Sequence, residues 1–366
     1  MILNACTQEC RRHKGRSGRS GRSRAVFIAL AAVALLCPGD GFAVKKEKVA
    51  EISGAPRLWR DPGNIARKDL YWGIGSREGM PEPPFQFVKE SFKGANPKVD
   101  VTDAHGVKWS VKFESLQKNR NEVHAEPVAT RIVWALGFTV EEEYFIPSGT
   151  IRGVTELKRA RHSLGHDGSF KNARFKRQPR EGKKWDVYWH WNHNPFAGTR
   201  ELSGLKILMA LLGNWDTKTV NNAVLEQRGA DGKVEDWYMV SDLGTAFGKM
   251  GTWPWKRTMW ILEDYRTDRG RTRVKNGVLS LHYRGRSKIG KVPLEHARWF
   301  ARLLAQLSQD QIKRALEAGG GSPAETAGFS AELKSRIDQF LDAARKEEAT
   351  AARSPQSLAP AASAVF

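Results

Sequence analysis

The strongest constraint on this chain lies between Thr199 and Gly244. An apolar helical pattern over Thr199–Leu212, with Leu202, Leu205, Leu208, Met209 and Leu212 on one face, stops at Gly213. A loop then presents Asp216, Lys218 and Asn221. Two short apolar strands follow, Ala223–Glu226 and Trp237–Val240, separated by the turn Gly229–Gly232. The first strand leads the chain away and the second returns it, delivering Asp242-Leu243-Gly244 next to where the loop began. Taken alone, Asp216–Asn222 reads as a polar helix-to-strand loop whose acid and amides cap backbone, and Asp242-Leu243-Gly244 reads as a turn. The weight lies in their order.

Upstream the texture is strand-rich. Val99–Val101 and Val107–Phe113 flank the turn Asp103-Ala104-His105-Gly106 as a hairpin. A helix is expected over Glu126–Leu136, where Ala129, Ile132, Val133 and Leu136 share a face and Gly137 supplies the stop. Phe138–Ile146 reads as a strand and Ala173–Lys176 as another. The basic stretch Lys158–Arg180 has few aromatics and reads as a solvated loop or strand pair. Downstream, helices are expected over Pro293–Leu307 and Gln309–Ala318. A capping box runs from Ser308 to Gln311, and the same signature recurs at Ser322–Glu325. A strand-rich first half and a mostly helical second half, interrupted by one small hairpin, make an α+β, two-lobed arrangement.

The spacing Asp-x-Lys-x-x-Asn, two apolar strands and Asp-x-Gly resembles the catalytic and metal-binding loops of the protein-kinase superfamily. In element order the resemblance runs from about Phe85 to Ser308. It implies a two-lobed kinase-like fold with a strand-rich N-lobe over residues 69–178 and a mainly helical C-lobe over 179–349. It also implies ATP and Mg2+ as cofactors. Phosphoryl transfer uses a carboxylate to orient the attacking hydroxyl and accept its proton, hard oxygen ligands for magnesium, and a cation for developing charge. By resemblance, Asp216 is the catalytic base and Lys218 the phosphate-side cation. Asn221 and Asp242 are the metal ligands, with Asn222 a substitute for Asn221. Lys112 is the strand lysine that grips the nucleotide phosphates. Lys108, of the same strand parity, is its alternative. Glu126 is the helix glutamate holding that lysine, placed in the first helical turn by Pro127, with Glu122 as the fallback. The stretch Lys93-Gly-Ala-Asn-Pro-Lys98 stands where a glycine-rich loop belongs, and it brings Asn96 and Lys98 to the cofactor.

Departures from the pattern point to a branch. There is no Gly-x-Gly-x-x-Gly, the pair before Asp216 is Asn214-Trp215 where His-Arg is usual, Asp-Phe-Gly reads Asp-Leu-Gly, and no Ala-Pro-Glu follows. These look like atypical members: HipA-like toxin kinases, phosphoinositide lipid kinases and secretory-pathway kinases. Trp253-Pro-Trp255 falls where kinases carry an activation segment.

The N-terminus reads as an export signal over residues 1–43. A basic region from Arg11 to Arg24 precedes an apolar run, Ala25–Cys37, and the small-residue site Gly41-Phe42-Ala43. All three cysteines, Cys6, Cys10 and Cys37, fall inside it. The exported chain, starting near Val44, therefore holds by packing, without disulfides or thiolate metal sites. Residues 44–68 read as a linker and 350–366 as a disordered tail rich in Ala, Ser and Pro. The whole chain carries a net charge of +20, and residues 44–366 carry +15, with 53 basic against 38 acidic side chains. That balance favours polyanions such as phosphates, anionic lipid or cell-envelope polymers, and no DNA-reading motif accompanies it. A Walker loop, Gly-x-Ser-x-Gly and a zinc-protease motif are likewise missing.

Two functions follow. One is an exported atypical phosphotransferase that moves the ATP γ-phosphate to a protein, lipid or polysaccharide hydroxyl. The other is a non-catalytic pseudokinase or basic module that docks on anionic envelope polymers or lipids. Intact Asp216, Asn221 and Asp242 favour the first, while the absent glycine loop and the compartment favour the second. Two weaker features complete the reading. His190-Trp-Asn-His193 has no suitably spaced third metal ligand, and the cluster Trp185, Tyr188, Trp189 and Trp191 suits core packing better than stacking on a sugar or base.

Overall fold

The computed structural model describes residues 54–353 except 93, 95, 117–119, 180–182, 186, 230, 252–256, 268–271, 282 and 286–289. The expected export signal, Trp253-Pro-Trp255 and the last part of the expected tail lie outside the described residues.

A short strand, β1 (Ala55–Arg57), precedes the first lobe, which alternation builds. Strands β2 (Phe85–Ser91), β3 (Lys98–Thr102) and β4 (Lys108–Phe113) are followed by helix α1 (Glu122–Ala135), β5 (Glu143–Arg152) and β6 (Ser169–Arg177). Strands β2-β3-β4-β6-β5 close into a barrel, sealed by the parallel pairing of β5 with β2 at Phe85↔Ile151. Val99 and Val101 of β3, Trp109, Val111 and Phe113 of β4, and Ala173 and Phe175 of β6 are buried together inside it. The residues between them, Lys98, Ser110, Lys112, Arg174 and Lys176, point out of the barrel.

The second lobe is mainly helical. It comprises β7 (Lys183–Trp185), α2 (Arg200–Leu212), β8 (Asn222–Arg228), β9 (Val234–Val240), α3 (Leu262–Thr267), β10 (Thr272–Lys275), β11 (Val278–Leu281), β12 (Lys291–Pro293), α4 (Leu294–Leu304), α5 (Gln309–Ala318) and α6 (Pro323–Arg353). Leu205, Leu208 and Leu212 of α2 pack with Phe300, Phe329 and Phe340 in one apolar core. Ala125, Val128 and Ile132 of α1 belong to the same core. Helix α1 therefore stands on the helical lobe while presenting its glutamates to the barrel. Thr199 caps α2, Ser308 and Gln311 form the expected capping box, and Ser322 and Glu325 exchange hydrogen bonds in the same way.

The α+β, two-lobed class expected from the sequence is the class observed. Several local expectations need correction. Of the linker expected over 44–68, the described residues 54–68 are woven into the second lobe: β1 pairs parallel with β9, and Leu58 and Ile65 are buried in the helical core. A pairing across so much intervening chain leaves no local pattern. Helix α1 starts at Glu122 instead of Glu126, so Pro127 lies beyond the first turn. Its missing N–H forfeits one backbone bond, while ion pairs at Glu122 and Glu126 hold the preceding residues helical. The strand read over Phe138–Ile146 begins only at Glu143, because Phe138 and Val140 fill the helical core and not the barrel. Strands β10-β11-β12 form a small sheet in addition to the one hairpin, Ala223–Val240, expected in the second half. Helix α6 continues to Arg353, past the expected start of the tail at Thr350. Lys158–Arg180 is not a solvated stretch throughout, since its Arg174 is 1% exposed.

Candidate active site

The site is organised around Lys112 on the outer face of β4. Its ammonium lies 2.9 Å from Glu122 Oε2, 2.9 Å from Glu126 Oε2 and 3.1 Å from Asp242 Oδ1. Three N–H donors thus meet three carboxylates. Burial works against the charge of Lys112, but Asp242, Glu122 and Glu126 outweigh it and hold its pKa well above the ordinary value. The Lys112 charge in turn holds the Asp242 carboxyl far below the usual range, against burial. Both expected glutamates are engaged, one turn apart on α1. Lys108 is not the strand lysine, since it sits exposed beside Thr102, at the far end of β4 from Lys112.

A second buried cation, which the sequence reading missed, backs the first. Arg174 is opposite Lys112 in the β4–β6 pairing. It forms ion pairs with Glu126 at 3.2 Å and Glu143 at 3.6 Å. Burial opposes ionisation of Glu126, yet Arg174 and Lys112 together keep its pKa below the ordinary value. Glu143 fares differently: burial first, then the Glu126 charge, push it up to about 8. Arg174 was legible only as an outward residue between Ala173 and Phe175. Its partners depend on a strand register that local pattern does not contain.

Asp242 follows β9 and adopts a left-handed backbone, φ 59°. Aspartate tolerates this better than most residues, at a cost of about 1 kcal/mol. The single 3-10 turn Leu243–Thr245 comes next. A Cβ on Gly244 would lie 2.9 Å from Glu122 Cβ, so the glycine is what lets this turn approach α1 closely enough for Asp242 to reach Lys112.

The loop from α2 is tied to the same place. Gly213 ends α2 in the left-handed conformation, φ 65°. The backbone N–H of Asp216 donates to Thr245 Oγ1 at 3.1 Å, and the Thr245 hydroxyl donates to Asn214 Oδ1. The N–H of Ser241 donates to the Asn221 carbonyl at 2.8 Å. Asp216 Oδ2 is 2.8 Å from Lys218 Nζ. Lys112 thus contacts Glu126 and Asp242 directly, while Asp216 and Asn221 are tied to the segment that carries Asp242 through Thr245 and Ser241. Asn96 joins them from the β2–β3 turn, donating to Glu122 Oε2 at 2.6 Å. Arg159 braces that turn by donating to the carbonyls of Phe92 and Gly94. Lys98, half-buried on β3, neighbours Lys112 in register, and burial with the charges of Lys112 and Arg174 lowers its pKa to about 8.

Asn222 points away and donates to Trp189 O at 2.6 Å, so it does not substitute for Asn221. His190 and His193 pair with each other in a local bridge, and His190 Nδ1 lies 3.1 Å from Thr219 Oγ1. Trp189 and Trp191 are core residues.

The donor set fits a hard divalent cation. Asp242 is ionised and its side chain is 47% exposed to the cleft. The Asn221 amide is anchored through Nδ2, which donates to Asp216 O at 2.7 Å, leaving the carbonyl end for a ligand. Among the described residues no cluster of three His, Cys, Asp or Glu side chains is placed to hold a metal ion. A cation at Asp242 and Asn221 would complete its shell with phosphate oxygens and water, as magnesium does. A cavity of about 450 Å3, lined by Val140, Leu225 and Met239 together with Glu142, Arg177 and Gln178, opens by the connection between the lobes and contains none of these groups.

No family model matches the chain, and no curated protein sequence matches it. Among solved structures it is similar to the Helicobacter pylori proinflammatory kinase CtkA, at 15% identity over 74% of this chain and 99% of that one, with a TM-score of 0.44. It is also similar to the Golgi casein kinase, at 10% identity over 78% of this chain and 83% of the other, with a TM-score of 0.39. Likeness at this level is loose, and the functional reading below rests on the site's own residues.

Proposed function

We propose that this chain is an atypical kinase-like phosphotransferase that uses Mg-ATP and acts on a hydroxyl of a protein, lipid or polysaccharide. The observation that carries the reading is Lys112, held by Glu122, Glu126 and Asp242, with Asp216 and Asn221 tied to the residues that flank Asp242. Lys112 neutralises the phosphates of the donor. Asp242 and Asn221 hold the metal ion, which when bound draws charge from the phosphate oxygens. Asp216 orients the acceptor hydroxyl and takes its proton. Lys218, 2.8 Å from that carboxylate, faces the charge that develops on the transferred group.

Transfer of label from γ-labelled ATP to panels of proteins, phosphoinositide vesicles and polysaccharides tests this. Asp216→Asn is expected to cut transfer by about 10²–10⁴-fold, the effect of losing a general base. Transfer that is indifferent to Asp216→Asn sinks the assigned role.

The compartment belongs to the same proposal. The basic and apolar segments of residues 1–43 support export, and N-terminal sequencing of the released form should begin near Val44. Recovery of the full-length chain in the cytosol alone contradicts it. The +15 charge of residues 44–366 favours an anionic surface as the place of action, and such adsorption should weaken steeply as salt rises.

A further inference from the structure

The outer wall of the barrel changes character along the cleft. Pairing places Lys98, Lys112 and Arg174 side by side on β3, β4 and β6. This row meets the α1 glutamates and Asp242. The next row toward the connection between the lobes sets Asp100 beside Ser110 and Ser110 beside Lys176. A ligand whose phosphates sit at Lys112, and whose remainder extends toward that connection, runs beneath this second row.

A nucleobase is gripped by apolar or aromatic faces, with a few polar groups at its edge. The second row offers a carboxylate, a hydroxyl and an ammonium. Its charges are already engaged: Lys176 is 2.8 Å from Glu141 and Asp100 is 3.8 Å from Lys89. Laying a base over them removes water from paired charges and returns no stacking partner, which is unfavourable. The phosphate end is the opposite. Lys98 is half-buried beside the like charges of Lys112, Arg174 and Lys176, which outweigh the opposing charge of Asp242. Such a cation gains by meeting an anion.

We propose that this cleft selects its ligand by the polyphosphate chain and not by the base, with Lys98 the second phosphate-binding cation beside Lys112. The proposal rests on the phosphotransferase reading and names the ligand class of its site: a magnesium polyphosphate, with or without a nucleoside.

Calorimetry on the purified chain with magnesium and four ligands, ATP, GTP, CTP and inorganic tripolyphosphate, tests it. Affinities within about fivefold of one another, a difference near 1 kcal/mol, are expected. Lys98→Met should weaken all four alike, by about 10–100-fold, as loss of a charged hydrogen bond does. Lys98→Arg should restore most of that loss and so separates a binding role from a folding defect. Ser110→Ala, which makes the second row more apolar, should raise ATP over tripolyphosphate. If ATP binds more than about 50-fold tighter than both CTP and tripolyphosphate, the inference is overturned while the phosphotransferase reading stands. The base would then be held elsewhere, with the cavity at Leu225 and Met239 the first place to look. Unchanged affinities in Lys98→Met remove the role given to Lys98. Absence of magnesium-dependent binding by all four overturns the phosphotransferase reading itself.

Discussion

Strand β4 has two faces with different tasks. Trp109, Val111 and Phe113 point into the barrel among Val99, Val101 and Phe175, and all are buried. Lys112, between two of them, points the other way and is 5% exposed, yet it is surrounded by charge. The inner face is held by packing, where each side chain contributes through the area it removes from water. The outer face is held by mutual neutralisation, where each charge is tolerable only while its partners remain. The same alternation that lets the barrel fold therefore aims a row of cations at the cleft.

Substitutions on the two faces should separate. Lys112→Met leaves Glu122, Glu126 and Asp242 crowded without their shared cation. It is expected to cost about 3–5 kcal/mol in denaturant unfolding and to abolish magnesium-nucleotide binding. Phe175→Ala on the inner face should cost a similar amount, about 3–5 kcal/mol, by leaving a cavity. The folded fraction should nevertheless keep its ligand affinity. A loss of affinity in Phe175→Ala equal to that in Lys112→Met would erase the distinction.

Gly244→Ala sharpens the comparison from the other lobe. Its new methyl meets Glu122 Cβ at 2.9 Å, so the turn or the helix must shift. Overpacking of this kind costs about 1–3 kcal/mol. The ligand effect should follow Lys112→Met in direction, because Asp242 is carried away from the ammonium. Unaltered ligand affinity with full occupancy would show that the close approach is dispensable.

A further separation is expected from pH. Glu143 has an ordinary value of 4.5 and is pushed up to about 8 by burial and by Glu126. Between those values the folded state keeps a proton that the unfolded chain has released. Stability should therefore fall as pH rises through this window and level off above it. Glu143→Gln removes that proton exchange, so denaturation midpoints at pH 5, 6.5 and 8 should decline less than in the parent chain. An equal decline in both would remove Glu143 as the source.

How much of this was legible in the sequence follows from the reach of each interaction. Helix α2 announces itself through Thr199, its apolar stripe and Gly213, all within one element. The hairpin β8–β9 and Asp242 are equally local, so the grouping of Asp216, Asn221 and Asp242 could be expected from spacing. Lys112 and α1 could be ordered but not fully resolved: alternation treats Lys108 and Lys112 alike, and only the approach of α1 and Asp242 distinguishes them. Arg174, Glu143 and the pairing of β1 with β9 were invisible because they depend on register between distant segments. Pro127 misled because a proline inside a helix looks like its start, and nothing local shows that Glu122 is held by a lysine on another strand.

The central claim is that Asp242 and Lys112 together form a magnesium-polyphosphate site, while Asp216 serves the acceptor. Calorimetric titration of ATP into the chain, with and without magnesium, tests it most directly when repeated on Asp242→Asn and Asp216→Asn. Magnesium-dependent binding by the parent chain is expected, lost in Asp242→Asn and nearly unchanged in Asp216→Asn. A parent chain that binds no nucleotide with magnesium, or an Asp242→Asn variant that binds as the parent does, contradicts it.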